Sequence, residues 1–133
     1  MRRAIELALG RLGHTGENPA VGCVIVRDGV VTAEAATAES GRPHAEEQAL
    51  AVAGERARGA SAFVTLEPCG ERSSGAASCS QRLAAAGVSR VVFACDNPHG
   101  LSAGRGPAQL RDAGVELEGG FLQAEAAFPY ADS

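Results

Sequence analysis

Apolar and polar positions alternate along the chain in two rhythms. In "RRAIELALGRLG" (2 to 13), Ile5, Leu7, Ala8, Leu9 and Leu12 fall near one face, with charges between them. That spacing predicts an amphipathic helix. "AVGCVIV" (20 to 26) is a continuous apolar run, as expected of a strand buried on both faces. Asp28-Gly29 follows as a hairpin turn signal, and "VVTAEAA" (30 to 36) reads as the antiparallel partner. Residues 37 to 43 read as a loop, and a helix is predicted from about His44 to Arg56. "SAFVTLE" (61 to 67) is the third strand.

The second half repeats the alternation. "PCGERSSGAASCSQ" is a Gly- and Ser-rich loop. "SQRLAAAG" (80 to 87) is a helix capped by Gly87. "SRVVFAC" (89 to 95) is a fourth strand, and 96 to 106 a long polar loop. "PAQLRDAG" (107 to 114) is a short helix with Pro107 in its first turn. "VELEG" (115 to 119) is a polar strand for a sheet edge, and 120 to 130 suggest a last helical piece. A hairpin followed by βαβαβ implies parallel pairing of the last three strands. The expected fold is α/β: a three-layer α/β/α sandwich around a five-stranded mixed sheet.

Composition narrows the function classes. The 133 residues suit one domain, and a hydrophobic content of 45% is enough for a core. No run approaches the length of a membrane span, and Glu6 interrupts the N-terminal segment where a signal peptide would need an apolar stretch. A soluble cytoplasmic protein is the expectation. Net charge is −4; the 12 basic residues are all Arg and scattered, and aromatics are 4%. Neither a basic stripe nor stacking aromatics are present, which argues against a nucleic-acid partner. Without an export signal, Cys23, Cys69, Cys79 and Cys95 are better read as thiols or metal ligands than as disulfides.

Two loop-to-helix junctions carry chemistry. One offers His44 and Glu46, the other Cys69 and Cys79. One His and two Cys make three ligands for zinc, leaving the fourth tetrahedral position for water, as in a catalytic site. Zinc lowers that water's pKa towards neutrality. Glu46, two residues from a ligand, is placed to take the water proton and hand it to a leaving group. Each part alone is weak. H-x-E recurs by chance, and a Cys pair in a Ser/Gly loop can be two ordinary thiols. Together, His-Ala-Glu heading a helix and Pro-Cys after the next strand match the zinc-deaminase pattern. Cys23 and Cys95 read as buried small hydrophobes. His14 and His99 are loop residues, and Glu47 reads as a helix-surface residue.

At this point the residues resemble the cytidine-deaminase-like superfamily. More narrowly, they are similar to the pyrimidine deaminase domain of the bifunctional riboflavin-biosynthesis deaminase/reductase. The likeness runs through "ENPAVGCVIVRDG", "GRPHAEEQAL", "FVTLEPC", "AAAGVSRVVFA" and "AGRGPAQLRDAGVEL". Nine residues separate Cys69 from Cys79, where cytidine, deoxycytidylate and tRNA-adenosine deaminases usually have two; the riboflavin-type family is the one with a long insertion. "GFLQAEAAFPY" looks like the segment leading into the reductase, so a single deaminase domain over 1–133 is expected, without a reductase.

The resemblance implies Zn2+ as cofactor and Asn18 as a contact to the pyrimidine. It implies hydrolytic deamination of diaminohydroxyphosphoribosylaminopyrimidine, and a homodimer from the superfamily's habit of association. Three departures bear on the phosphoribosyl group. The family's His after the second strand aligns with Thr37, its His after the first cysteine with Glu71, and its D-P-N loop reads Asn97-Pro98-His99. A free base or nucleoside (cytosine, cytidine or guanine) is therefore the alternative substrate. An RNA-editing deaminase and a non-catalytic relative are further rivals.

Overall fold

The computed structural model describes residues 2–10, 21–37, 45–66, 79–95 and 105–119. Helix α1 (Arg2–Leu9) precedes the hairpin of β1 (Gly22–Arg27) and β2 (Val30–Ala36). Helix α2 (Ala45–Ala53) leads through a 3-10 turn (Gly54–Ala57) to β3 (Ser61–Leu66). Then come α3 (Cys79–Ala85), β4 (Arg90–Cys95), α4 (Arg105–Asp112) and β5 (Glu116–Glu118). These are the elements the periodicity predicts, within a few residues at each end. The last helical piece expected at 120 to 130 lies outside the described residues.

Local chemistry sets the boundaries. Asp28 and Gly29 both take positive φ, 53° and 78°, the requirement of a type I′ turn, whose twist matches the strands it joins. The helix expected to reach Arg56 ends at Ala53, because Gly54 takes a φ of 55° that breaks the α-helical repeat. Gly87 caps α3 as expected, with φ 81°, while the Val88 N–H donates to the Leu83 carbonyl at 3.4 Å.

The five strands form one sheet in the order β2-β1-β3-β4-β5. β1 is antiparallel to both β2 and β3, whereas β3, β4 and β5 run parallel. β1 thus slides between β2 and β3, an insertion that the pattern of a hairpin followed by crossovers does not reveal. All three crossovers run the same way across the sheet. Right-handed connections then put α2, α3 and α4 on one face, where α2 packs on α3 and α3 on α4.

Helix α1 covers the opposite face. A Cβ on Gly22 would lie 1.8 Å from the Ala4 carbonyl oxygen, so the helix backbone rests directly on the strand. The next residue, Cys23, points to the α2 side and joins Ile25, Ala45, Ala49, Val64, Leu83 and Val91 in the main core cluster. The three-layer α/β/α arrangement with a five-stranded mixed sheet is as expected. At the surface Arg3 of α1 donates to Glu34 of β2 at 2.6 Å and to Glu6 at 3.2 Å; these carboxylates raise the Arg3 pKa, Glu34 contributing most. Arg90 and Glu118 pair across the β4–β5 edge. No helix among the described residues is long and apolar enough to cross a membrane.

Candidate active site

The carboxyl ends of β2 and β3 and the start of β1 meet at one end of the sheet. In open α/β sheets, ligands bind outside the carboxyl ends of strands. The helices that follow β2 and β3 open at this end: α2 at Ala45, directly after His44, and α3 at Cys79. The four buried polar side chains among the described residues are Thr37, Glu46, Thr65 and Ser80. Thr37 follows β2, Thr65 sits near the end of β3, and Glu46 and Ser80 lie in the first turns of α2 and α3. All four gather at this end. Interior positions normally exclude polar groups, because burying one without a partner costs free energy. Such a concentration marks the sheet end that the fold keeps polar.

Glu46 is the one charged residue of the four, and it is 5% exposed. Its place in the first turn of α2 sets its carboxylate against the positive end of the helix dipole, which favours a negative charge there. Glu46 also lies near Cys23. Burial raises the Cys23 thiol well above its ordinary pKa, and the Glu46 charge raises it further. Cys23 is accordingly a neutral, fully buried thiol, as its setting in an apolar run implies. Glu47, expected at the helix surface, is half-buried. Gln48 ties the helix down: its Nε2 donates to the Ala36 carbonyl at 2.7 Å, fixing the first turn of α2 to the end of β2.

The threonines carry the ends of the ladder. The Val21 N–H donates to Thr37 Oγ1 at 2.9 Å, and the Thr37 N–H donates to the Val21 carbonyl at 2.9 Å. On the other side of β1, the Gly22 N–H donates to Thr65 Oγ1 at 3.2 Å. Thr37, aligned with a phosphoribose-facing histidine by resemblance, is 1% exposed. Its hydroxyl is turned into the sheet and onto Val21.

Of the residues expected to act, the structure describes Glu46 and the backbone of Cys79. His44, Cys69 and Asn18 lie outside the described residues, as do Glu71, Asn97, His14 and His99. Sequence reasoning did not single out Thr65, Gln48 or Ser80. Position was the one signal for two of them: Thr65 is the hydroxyl-bearing member of "FVTLEPC", one residue from the end of β3, and Ser80 adjoins a candidate ligand. A groove of about 440 Å³ lies elsewhere. It follows the outer edge of β2 and is lined by Glu6, Leu7, Glu34, Gln48 and Val52 among others.

Residues 1–95 match the cytidine and deoxycytidylate deaminase zinc-binding region. The chain belongs to this family. Riboflavin biosynthesis protein RibD of Escherichia coli is 45% identical over 126 residues, covering 95% of this chain and 34% of the relative. The chain thus spans about a third of the length of the curated relatives it matches. Among solved structures, RibD of Acinetobacter baumannii superposes with a TM-score of 0.89 at 46% identity, covering 95% of this chain and 35% of that one. A Thermotoga maritima protein described as a diaminohydroxyphosphoribosylaminopyrimidine deaminase and reductase superposes with a TM-score of 0.89 at 37% identity, over 97% of this chain and 37% of that one. This zinc-binding deaminase family was legible in the residues themselves, and the reading of the narrower likeness holds as well.

Proposed function

We propose that this chain is a zinc-dependent hydrolytic deaminase acting on diaminohydroxyphosphoribosylaminopyrimidine. The observation that carries the reading is a buried carboxylate, Glu46, in the first turn of α2, two residues after His44 and at the sheet end where Cys79 opens α3. The substrate comes from the relatives, one of which is described by that activity.

The donor set suits zinc. His44, Cys69 and Cys79 would hold it through one imidazole and two thiolates, the nitrogen and sulfur ligands that zinc favours. Cys79 opens α3, His44 immediately precedes α2 in the chain, and the two helices pack on each other. When bound, zinc supplies a water whose proton leaves near neutral pH. Glu46 accepts that proton. Water would then add through its oxygen to the ring carbon bearing the exocyclic amine, with Asn18 holding the pyrimidine. Glu46 would return the proton to the amine nitrogen; the C–N bond breaks with its electron pair leaving on ammonia, and the remaining hydroxyl proton passes to the ring nitrogen as the ring carbonyl forms. Burial serves this shuttle, since a carboxylate shielded from bulk water keeps the proton between the two reacting atoms.

The test is ammonia release from the phosphoribosylaminopyrimidine by the purified chain, with zinc measured in the same preparation. We expect turnover in the wild type. Glu46→Ala is expected to lose it with zinc content unchanged. Retained turnover in that variant removes Glu46 from the mechanism, and absence of zinc in unchelated protein removes the metal.

One observation favours a second reading. The Thr37 hydroxyl accepts from Val21 inside the sheet, so it does not replace the histidine that the family turns to the ribose phosphate. A free base or nucleoside is the substrate on this reading. Comparing phosphorylated and unphosphorylated pyrimidines decides: a clear preference for the phosphorylated compound removes it. The homodimer is checked by sedimentation of the same protein.

A further inference from the structure

Building on the assignment of Asn18 to the pyrimidine, we propose that Thr37 and Thr65 are positioning residues of the deaminase site. Their buried hydroxyls fix the first residues of β1 and thereby set the peptide that brings Asn18 to the substrate.

The start of β1 is held from three directions. β2 reaches it through Thr37 Oγ1, which accepts the Val21 N–H at 2.9 Å. β3 reaches it through Thr65 Oγ1, which accepts the Gly22 N–H at 3.2 Å. Helix α1 lies against Gly22 so closely that no side chain fits between them. The two hydroxyls stand where a regular ladder would present carbonyls. A side-chain acceptor extends the reach of its strand, so the backbones of β2 and β3 are free to turn away from β1 at this end while its amides stay satisfied.

A sheet that merely ended here would need no buried hydroxyl, since strand-end amides can be left to water. Both threonines are instead withdrawn from solvent, at the same end as Glu46. Asn18 precedes Val21 by three residues in the chain, a reach of about 10 Å at full extension. The short separation limits how far Asn18 can lie from Val21, so the placement of Val21 bears on where Asn18 can reach.

The experiment uses the full chain, zinc-loaded, with the phosphoribosylaminopyrimidine as substrate. Thr37→Val and Thr65→Val keep the side-chain shape and delete the acceptor; Thr37→Ser and Thr65→Ser keep the acceptor. Each valine variant is expected to raise KM about tenfold, within the range that small misplacements of a binding group produce. A smaller change in kcat is expected, because Asn18 would hold the pyrimidine in ground and transition states alike. The serine variants are expected to restore KM. Introduced into Asn18→Ala, the valine changes are expected to add nothing further to KM, as a route acting through Asn18 requires.

Thr37→Ala and Thr65→Ala serve as second variants should a valine variant fail to fold. An unchanged KM in the folded valine or alanine variants, with KM raised in Asn18→Ala, overturns the inference alone. Effects that multiply in the Asn18→Ala background also overturn it. An unchanged KM in Asn18→Ala overturns the assignment of Asn18 and the inference with it.

Discussion

The two ends of the β1–β2 hairpin are built on opposite principles. At the turn, Asp28 and Gly29 close the chain with backbone geometry alone, and Val30 and Val31 stand 63% and 52% exposed. At the other end, Thr37 is buried, its hydroxyl bonded to the neighbouring strand, with Glu46 and Thr65 buried nearby. The turn tolerates apolar side chains in water; the far end keeps polar side chains out of it. A hydrophobic core explains neither arrangement by itself. The first is a local solution to reversing the chain. The second gives a sheet end that is rigid, dry and polar together, which suits the proton transfer proposed for Glu46.

The sharpest way to break this contrast is at Glu46. Glu46→Gln is expected to lower kcat by about 10²- to 10⁴-fold, the usual contribution of a general acid–base group. The thermal midpoint is expected to change little, since the side-chain shape is retained. Ammonia-release kinetics and a melting curve check both halves. A comparable loss from Asp28→Ala would remove the distinction between the two ends.

Gly22→Val tests how tightly the polar end is assembled. Its side chain would enter the space of the Ala4 carbonyl, and overpacking of this kind costs about 1–3 kcal/mol or more. Urea unfolding measures it. Thr37→Val should follow, at about 1–3 kcal/mol, because the Val21 N–H is left buried without its acceptor. At the turn, Gly29→Ala forces a side chain into positive φ and is expected to cost about 1 kcal/mol without altering KM. Smallest is Val31→Thr, at an exposed position, with a stability change within about 0.5 kcal/mol.

The pH dependence sharpens the comparison from another side. The Cys23 thiol is raised well above its ordinary value of 9.0 by burial, with Glu46 adding to the effect. The folded chain therefore holds its proton where the unfolded chain loses it. Stability attributable to this thiol is full below pH 9 and declines as the pH rises above it. Unfolding midpoints across that range, compared with Cys23→Ala, read the difference. In the folded protein at about pH 8, below the ordinary thiol range, Cys23 is expected to resist alkylation until the chain unfolds.

The residues reveal their fold wherever neighbours in sequence decide. Asp28-Gly29 needs only its own backbone to make the turn, and "AVGCVIV" needs only its unbroken apolar run to announce a buried strand. The insertion of β1 between β2 and β3 is different. It depends on Cys23 finding Val64, and nothing local records that choice. The same division holds in the site. His44, Glu46 and the two cysteines are conspicuous because their side chains suit few other roles together. Thr37 and Thr65 look like ordinary β-branched strand residues. Their hydroxyls acquire meaning only once the sheet order brings Val21 and Gly22 beside them.

That sheet order also gives the molecule a timetable. Thr37 and Val21 are 16 residues apart, joined by a tight hairpin, and hairpins close in about 1–10 μs. Thr65 and Gly22 are separated by 43 residues with a whole helix between them. Closing the longer loop carries the larger entropy cost and belongs to the slower, non-local stage of folding. One hand of the grip on β1 is in place early, and the other arrives only when the sheet is completed.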